Sequence, residues 1–279
     1  MSDRSKLVDK YFRTENLPHI WCPGCSHGIT TRAIVKAIDD LGLNPENVVI
    51  VSGIGCSSRA AGYLNFNTLH TTHGRALAYA TGIKVSNPKL DVIVITGDGD
   101  ASAIGGNHLI HACRRNIDLT VIVFNNSIYG MTGGQYSPTT PHEAFGTTAP
   151  YGNIDRAFDL VKLVEGAGAT YVARGTAYHA LQLTNYIKKA ITHKGLSVVE
   201  AVSSCPTYYG RRNKLGDAVA MIQWMKDTFV EKRAYERLDE EQRIGKFPFG
   251  EFVNIEAPEY TDKLYQMINE VEARHEAGV

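Results

Sequence analysis

Short runs composed mostly of apolar residues constrain the fold of this chain more than any other feature. They are VVIVSG at 48–53, DVIVIT at 91–96, TVIVF at 120–124 and SVVEAV at 197–202. Because they lack the alternation of a half-exposed strand, they predict strands of a parallel sheet buried on both faces. Helical patterns between them predict right-handed crossovers and therefore a doubly wound α/β sheet with helices on both faces.

The remaining elements follow from residue spacing and from the residues that end helices. Ser26 is predicted to cap a helix that Gly42 ends, and ATYVA at 169–173 is a further strand. Other helices are predicted over 76–85, 101–115, 177–193 and 215–230, with one more after Tyr151. We expect a main domain over 1–210. Residues 211–279 are predicted to form a C-terminal helix and extended arm, packed on this domain or on a partner subunit.

Composition argues against several classes of protein. Twenty-nine basic residues balance twenty-nine acidic ones, so no net charge attracts nucleic acid or anionic membranes. The N-terminal segment MSDRSKLVDKYFRTENLP lacks an apolar leader core, and no run of about 18 apolar residues could span a bilayer. We therefore expect a cytoplasmic protein that binds neither nucleic acid nor membrane.

Polar residues follow two of the predicted strands, where a parallel sheet binds its ligands. Asp98 lies within Gly97-Asp98-Gly99-Asp100, and Asn126 ends an Asn-Asn pair. Mg²⁺ takes oxygen ligands in roughly octahedral geometry, and Asp98 and Asn126 can supply a carboxylate and an amide. Gly-Asp-Gly alone is also a common turn. Together with the Asn-Asn pair, however, it resembles the thiamine diphosphate motif, which implies Mg²⁺ held by Asp98, Asn126 and the carbonyl of Ile128.

Four of the five cysteines lie in loops beside Gly, Pro or Ser. These are Cys22, Cys25, Cys56 and Cys205, and such separated thiolates suit a cubane iron–sulfur cluster. A structural zinc site would use the same ligands, and Cys22 with Cys25 could instead form a redox dithiol. Cys113 lies inside a helical pattern, where a buried structural role is predicted.

Six motifs occur in series over about the first 210 residues: CPGCSHG, GIGCSSR, HTTHGRA, GDGDASAIGGNH, NNSIYGMTGGQ and SSCP. In this order they resemble the β subunits of the 2-oxoacid:ferredoxin oxidoreductases. The resemblance implies a thiamine-diphosphate-binding fold over 1–210, with a 4Fe-4S cluster on Cys22, Cys25, Cys56 and Cys205. It also implies coenzyme A as co-substrate and a cofactor site lined by Ile54, Gly55, Cys56, Ser57, His73, Gly97, Gly99, Asp100, Gly130, Met131 and Thr132. Cys56 would then bring the cluster and the cofactor together.

Substrate recognition rests on fewer signals. Arg59 is predicted to pair with the carboxylate of the oxoacid, as a basic residue does at this place in the family, although it could be a surface arginine. Gly133 stands where relatives acting on pyruvate often carry lysine, which favours 2-oxoglutarate over pyruvate. His70 is predicted to cap its loop. The basic cluster Arg211, Arg212 and Lys214 is either a solvated face or a docking surface for ferredoxin or coenzyme A.

The resemblance also implies an incomplete active site. The glutamate that activates thiamine diphosphate comes from a separate pyrimidine-binding domain, and no second domain of that kind is recognisable in these 279 residues. We expect a hetero-oligomer with an α subunit that carries this domain, with ferredoxin as electron acceptor and room for further small subunits. A zinc-stabilised binding module and a complete non-redox decarboxylase are the alternatives.

Overall fold

A computed structural model describes residues 3–276, with side chains from residue 7, and contains an eight-stranded sheet. The strands are β1 (Val48–Ser52), β2 (Asn67–His70), β3 (Asp91–Gly97), β4 (Thr120–Asn125), β5 (Tyr171–Thr176), β6 (Ser197–Val202), β7 (Phe229–Glu231) and β8 (Phe247–Asn254). The helices are α1 (Asp3–Tyr11), α2 (His27–Asp40), α3 (Ala60–Tyr63), α4 (Ala76–Ser86), α5 (Gly106–Arg115), α6 (Leu160–Gly166), α7 (Ala180–Thr192), α8 (Ala218–Thr228), α9 (Lys232–Tyr235), α10 (Glu240–Arg243) and α11 (Tyr260–Glu276). Two π-helical turns cover Asp100–Ile104 and Pro206–Gly210.

The strand order is β2-β1-β3-β4-β6-β5-β8-β7, and the six strands from β2 to β5 are parallel. This confirms the predicted α/β class and the doubly wound sheet. The far side differs from a wholly parallel sheet, because β8 runs antiparallel to β5 and β7 pairs with β8.

The apolar runs form strands because both faces of the sheet are covered by helices. In β3, Ile93 and Ile95 pack in the same core as residues of α2 and α7. Val92 and Val94 point the other way, into a core shared with α4, α5 and α6. Each fully buried side chain of this size contributes about 1.5–3 kcal/mol, so neither face tolerates polar residues at these positions.

The order of the strands places the ligand-binding edge. After β1 the chain moves outward to β2, and after α4 it returns to the other side of β1 to form β3. The loops that follow β1 and β3 therefore diverge from adjacent strands, and such a switch point opens a crevice at the carboxyl edge of the sheet. Gly53 and Asp98, from the predicted motifs, lie directly after these two strands.

Three predicted elements differ from the structure. The helix expected after Tyr151 begins at Leu160, and residues 126–159 contain isolated bridges but no helix or strand. The helix expected over 101–115 is divided into a π-helical turn and α5. Ser26 precedes α2 but makes no capping hydrogen bond, because its hydroxyl accepts the backbone N–H of Ser204 at 2.7 Å.

The C-terminal segment is more regular than the predicted arm. Part of it forms β8, which joins the main sheet, and the last described element is α11, a helix that the sequence pattern did not predict. The division into 1–210 and 211–279 stays a prediction. Among the described residues, no helix is both long and apolar enough to cross a membrane.

Candidate cofactor site

A cavity opens at the carboxyl edge of the sheet, between the loops that follow β1, β3 and β4. All eleven predicted cofactor-binding residues line it, and so do Asp98, Asn126 and Ile128. Three further residues complete the wall, namely His27, Phe124 and Tyr129. The structure therefore brings the three predicted strand-end motifs to one place.

Asp98 is a buried carboxylate without an ion-pair partner among the described residues. Its Oδ2 atom accepts hydrogen bonds from Ser137 Oγ at 2.5 Å and Thr139 Oγ1 at 2.7 Å. Burial raises the pKa of Asp98, although these hydroxyls and the backbone N–H of Asn126 favour its charged form. A carboxylate desolvated in this way is suited to a cation, because a bound cation would offset the cost of burial.

Asp100 has a different environment two residues later. Its Oδ1 atom accepts the backbone N–H of Gly74 at 2.7 Å and contacts His73 Nδ1 at 2.5 Å, and Oδ2 accepts Thr96 Oγ1 at 2.6 Å. A Cβ built on Gly53 would collide with this carboxylate. Asp100 thus joins three loops beneath the cavity, while the ring of His73 forms part of its wall.

The four loop cysteines lie near one another beside this cavity. Burial, together with the smaller electrostatic effects of Cys205, Cys56 and Cys22, raises the pKa of Cys25 to about 12. Burial also raises the pKa of Cys56 to about 11, with Cys205 and Cys22 acting in the same direction. A Cβ built on Gly130 would lie 3.4 Å from Cys56 Sγ and 3.6 Å from Cys205 Sγ. Glycine at this position therefore leaves the space between the two sulfurs open.

Backbone contacts hold the cysteine loops in place. The indole N–H of Trp21 donates to the carbonyl of Cys56 at 2.7 Å. The Ser26–Ser204 hydrogen bond joins the residue after Cys25 to the residue before Cys205. Gly55 has φ of 122°, a conformation that favours glycine, and it turns the chain toward Cys56 directly after β1. The sulfurs are thus positioned by the fold itself.

Other residues singled out in the sequence lie outside the cavity wall. Arg59 is half-buried, with its guanidinium carbon 6.0 Å from the ring of Tyr63 and its Nε atom buried without a hydrogen-bond partner. His70 Nδ1 contacts Ser52 Oγ at 2.9 Å, at the ends of β2 and β1. Cys113 lies on α5 and is fully buried against the sheet, in a different core from the one that Cys25 and Cys56 pack against. Arg211, Arg212 and Lys214 are in an exposed segment.

Sequence reasoning missed three wall residues. His27 is fully buried between the rings of Trp21 and Phe124, with no hydrogen bond to either ring nitrogen, and burial lowers its pKa to about 4. Tyr129 donates its hydroxyl to the carbonyl of Gly99 at 3.2 Å, and burial raises its pKa to about 12. Both residues lie inside quoted motifs, CPGCSHG and NNSIYG. They could therefore have been predicted from their position next to predicted ligands, but not from their residue type.

Residues 53–201 match the family model of the thiamine pyrophosphate enzymes, C-terminal TPP binding domain. The matched segment contains the loops after β1, β3 and β4 that form the cavity. Fold and cavity together therefore define a thiamine-pyrophosphate-binding enzyme domain.

Individual relatives identify the family within this class of enzymes. The chain is 54% identical over 261 residues to the 2-oxoglutarate synthase subunit KorB of Methanothermobacter marburgensis, covering 94% of this chain and 92% of that protein. It is 53% identical over 264 residues to KorB of Methanocaldococcus jannaschii, covering 95% and 98%. The chain belongs to the family of these KorB subunits, the β subunits of 2-oxoacid:ferredoxin oxidoreductases.

A solved structure agrees with the fold over nearly the whole chain. It is the 2-oxoglutarate:ferredoxin oxidoreductase from Magnetococcus marinus with 2-oxoglutarate, coenzyme A and succinyl-CoA bound. The TM-score is 0.85 at 32% sequence identity, with 95% of this chain and 90% of that chain covered. These relatives favour an oxidoreductase subunit over a zinc-stabilised binding module or a lone decarboxylase.

Proposed function

We propose that the chain is the cofactor-carrying β subunit of a 2-oxoglutarate:ferredoxin oxidoreductase. In this reaction 2-oxoglutarate and coenzyme A give succinyl-CoA and CO₂, and two electrons pass to ferredoxin. One observation carries the proposal: the cavity that contains the Asp98 and Asn126 motifs adjoins the four loop cysteines through Cys56. Cofactor and electron carrier would then share one wall.

Asp98, Asn126 and the carbonyl of Ile128 would hold Mg²⁺ and, through it, the diphosphate of the cofactor. The fit is supported by the burial of Asp98 without a cationic partner in the described residues. Asn126 Oδ1 now accepts the backbone N–H of Ile128 at 3.3 Å, a long hydrogen bond that a metal ligand could replace. Ser137 and Thr139 would keep Asp98 oriented by holding its Oδ2 atom.

Cys22, Cys25, Cys56 and Cys205 would bind the 4Fe-4S cluster. The open space at Gly130 and the mutual charge effects among the four thiols support this assignment. Within the described residues no three His, Cys, Asp or Glu side chains approach closely enough to bind one metal ion. A single zinc ion would need that approach, whereas a cubane is wider and takes one sulfur at each corner.

Bound thiamine diphosphate would supply the carbanion chemistry that lets a 2-oxoacid lose CO₂. This chain would position the reacting carbon beside Cys56 and exclude water with the apolar wall residues Phe124 and Ile128, both buried. Arg59 would pair with a carboxylate of the oxoacid, and its buried, unpartnered Nε supports a role beyond solvation. Gly133 has φ of 115°, a conformation that disfavours the lysine of pyruvate enzymes.

An α subunit would close the cavity and supply the activating glutamate. Ile54 and Met131 line the cavity yet are 38% and 46% exposed, so two apolar side chains face outward at its mouth. Apolar side chains exposed beside a ligand cavity are suited to contact with a partner subunit. The chain should therefore be inactive until it is assembled with its partner.

The function is tested with the chain co-expressed with its α subunit and purified without oxygen. We expect 2-oxoglutarate to reduce a viologen dye over many turnovers only when coenzyme A is supplied. Faster reduction with pyruvate under the same conditions would assign a different substrate.

The cluster assignment is tested by iron analysis of two matched variants. Cys56→Ala should lose most iron and acid-labile sulfide, because a corner ligand is missing. Cys113→Ala should keep both, since Cys113 lies in the core between the sheet and α5. Iron loss in Cys113→Ala with retention in Cys56→Ala would mean that the ligand set is wrong.

A further inference from the structure

The four loop cysteines have an inner side, toward the cofactor cavity, and an outer side, toward the protein surface. Cys56 lines the cavity, whereas Cys22 is exposed and does not line it. Cys25 is partly exposed and Cys205 is buried. An acceptor protein is too large to enter the cavity, so it must take electrons on the side of Cys22.

A short turn of basic residues, 211–214, is built directly onto Cys205. The π-helical turn Pro206–Gly210 folds back on this cysteine, because the backbone N–H of Gly210 donates to the carbonyl of Cys205 at 2.9 Å. The backbone N–H of Leu215 donates in turn to the carbonyl of Gly210 at 2.9 Å. These two hydrogen bonds close the basic turn and fix it next to one of the predicted cluster ligands.

The residues on both sides of the basic turn also pack against the loop that carries Cys22 and Cys25. A Cβ built on Gly24 would collide with Ala218, at the start of α8, and would lie 3.5 Å from Pro206 Cγ. The cysteine loop therefore contacts the chain just before the basic turn and just after it. This places the turn beside the exposed Cys22, on the outer side of the candidate cluster site.

The basic turn carries positive charge that its surroundings do not neutralise. Arg211, Arg212 and Lys214 are exposed, and none of them makes an ion pair or a side-chain hydrogen bond with a described residue. Asp217, the acidic residue that follows in the sequence, caps α8 by accepting the backbone N–H of Ala220 at 2.8 Å. An excess of positive charge thus remains at this place, although the whole chain is neutral.

Two apolar side chains beside the cysteine loop are also exposed. Ile20, just before the Cys22–Cys25 loop, is 68% exposed, and Val219, next to Ala218, is 75% exposed. Apolar contacts together with a charged rim are typical of protein interfaces. Neither these two residues nor the basic turn lines the cavity, where coenzyme A must react. The surface therefore fits an acidic protein better than it fits coenzyme A.

We propose that Ile20, Val219 and the basic turn 211–214 form a docking surface for the acidic iron–sulfur protein that accepts the electrons. The opposite charges would steer the acceptor toward Cys22 and raise its association rate. 2-Oxoglutarate is oxidised in the cavity, and one electron passes for each acceptor cluster reduced, so each turnover reduces two acceptor clusters. The inference rests on the proposed function and adds the place where the electrons leave.

The test measures how tightly a fluorophore-labelled acidic ferredoxin binds to the assembled, oxidised enzyme. Arg211→Glu combined with Arg212→Glu should weaken binding about tenfold at 0.1 M salt, because like charges then face each other. The difference from the wild type should shrink at 1 M salt, where the screening length is about 3 Å. Arg211→Lys combined with Arg212→Lys keeps both charges and should bind like the wild type.

The matched control reverses another pair of exposed arginines. Arg114 and Arg115 end α5 just before β4 begins, at the opposite edge of the sheet, and Arg114→Glu with Arg115→Glu makes the same change in net charge. Exposed charges separated by more than about 10 Å are largely screened at 0.1 M salt. The control should therefore keep the ferredoxin affinity of the wild type.

Turnover with 2-oxoglutarate gives a second readout. The Arg211→Glu, Arg212→Glu enzyme should have a KM for ferredoxin raised about tenfold, in line with its weaker binding. Its iron content, its KM for coenzyme A and its rate with a viologen dye should be those of the wild type, because a small dye needs no docking surface.

The possible outcomes separate the docking surface from the other assignments. Unchanged ferredoxin affinity in the Arg211→Glu, Arg212→Glu enzyme, or equal weakening in the control, would overturn the proposal. A raised KM for coenzyme A with an unchanged KM for ferredoxin would assign the turn to coenzyme A, and loss of assembly would assign it to the α subunit. A wild-type enzyme that binds ferredoxin but cannot reduce it with 2-oxoglutarate would instead refute the proposed function.

Discussion

The two edges of the sheet place carboxylates in opposite electrostatic environments. At the carboxyl edge, burial raises the pKa of Asp98, which has no ion-pair partner among the described residues. At the amino edge, Asp118 precedes β4 and lies 2.8 Å from Lys84 Nζ and 3.1 Å from Lys194 Nζ. Burial alone would raise the pKa of Asp118, but these ammonium groups hold it below its usual range.

The lowered pKa of Asp118 and the raised pKa of Asp98 change the stability of the fold in opposite directions. A carboxyl whose pKa is lower in the folded state adds stability above its unfolded pKa of about 3.9, and this is lost as pH falls through the folded pKa. A carboxyl whose pKa is raised does the reverse, so protonation of Asp98 in the unliganded chain stabilises the fold. At neutral pH the charged Asp118 therefore stabilises the fold. The charged Asp98 destabilises it, and a bound cation would offset this loss.

The largest expected effect is that of Asp98→Asn on cofactor binding. The amide keeps the shape of the side chain but removes the charge that would hold Mg²⁺. We expect affinity for thiamine diphosphate with Mg²⁺ to fall by more than about 10²-fold, since changing even an outer partner of a metal costs 10–100-fold. Calorimetric titration of the assembled enzyme measures this loss.

The same variant should leave the unliganded protein at least as stable as the wild type at neutral pH, because a desolvated charge has been removed. Thermal unfolding without Mg²⁺ and cofactor measures it. Undiminished cofactor affinity, or unfolding of the unliganded variant, would show that Asp98 is a structural residue.

Asp118→Asn should give the opposite result at the other edge. It leaves the buried Lys84 without its carboxylate, and breaking a buried ion pair costs about 3 kcal/mol. The backbone carbonyl of Leu90, 2.8 Å from Lys84 Nζ, remains as an acceptor and limits the loss. Urea unfolding at pH 7 should reveal the destabilisation, while cofactor affinity stays that of the wild type.

The pH dependence sharpens this prediction. The stability difference between wild type and Asp118→Asn should be full above about pH 5 and shrink as pH falls further, because the carboxyl group of the wild type is then progressively protonated. A difference that stays constant from pH 7 down to acid would mean that the ion pairs of Asp118 contribute nothing measurable.

Much of the sheet was predictable because its strands are buried on both faces. A run such as DVIVIT has no polar side to expose, so a central parallel strand satisfies it. The helix expected after Tyr151 is present, but it begins only at Leu160. Tyr151, Ile154 and Phe158 have helical spacing, yet they are 97%, 87% and 48% exposed and belong to a loop. Spacing predicts a helix only where the apolar face has something to pack against.

Within the candidate site, prediction worked where strand ends supply the residues. Asp98 directly follows β3 and Asn126 directly follows β4. Because these strands are neighbours in the sheet, the two residues line the same cavity. The contact between His73 and Asp100 could not be predicted in this way. It depends on the conformation of the loop between β2 and α4 and on the π-helical turn after β3, and neither leaves a signature in residue spacing.

The smallest expected effects come from two glycines that test how tightly the carboxyl edge is built. Gly53 lies against the carboxylate of Asp100, whereas Gly82 is exposed in α4 with no atom within 4 Å of an added Cβ. Gly53→Ala should cost about 1–3 kcal/mol through overpacking and weaken cofactor binding by displacing Asp100 and His73. Gly82→Ala should instead add up to about 1 kcal/mol, because alanine favours a helix. Thermal unfolding and cofactor titration compare the two variants with the wild type. If Gly53→Ala were as stable as the wild type, Asp100 would move aside without cost, and its contact with His73 would not be rigid.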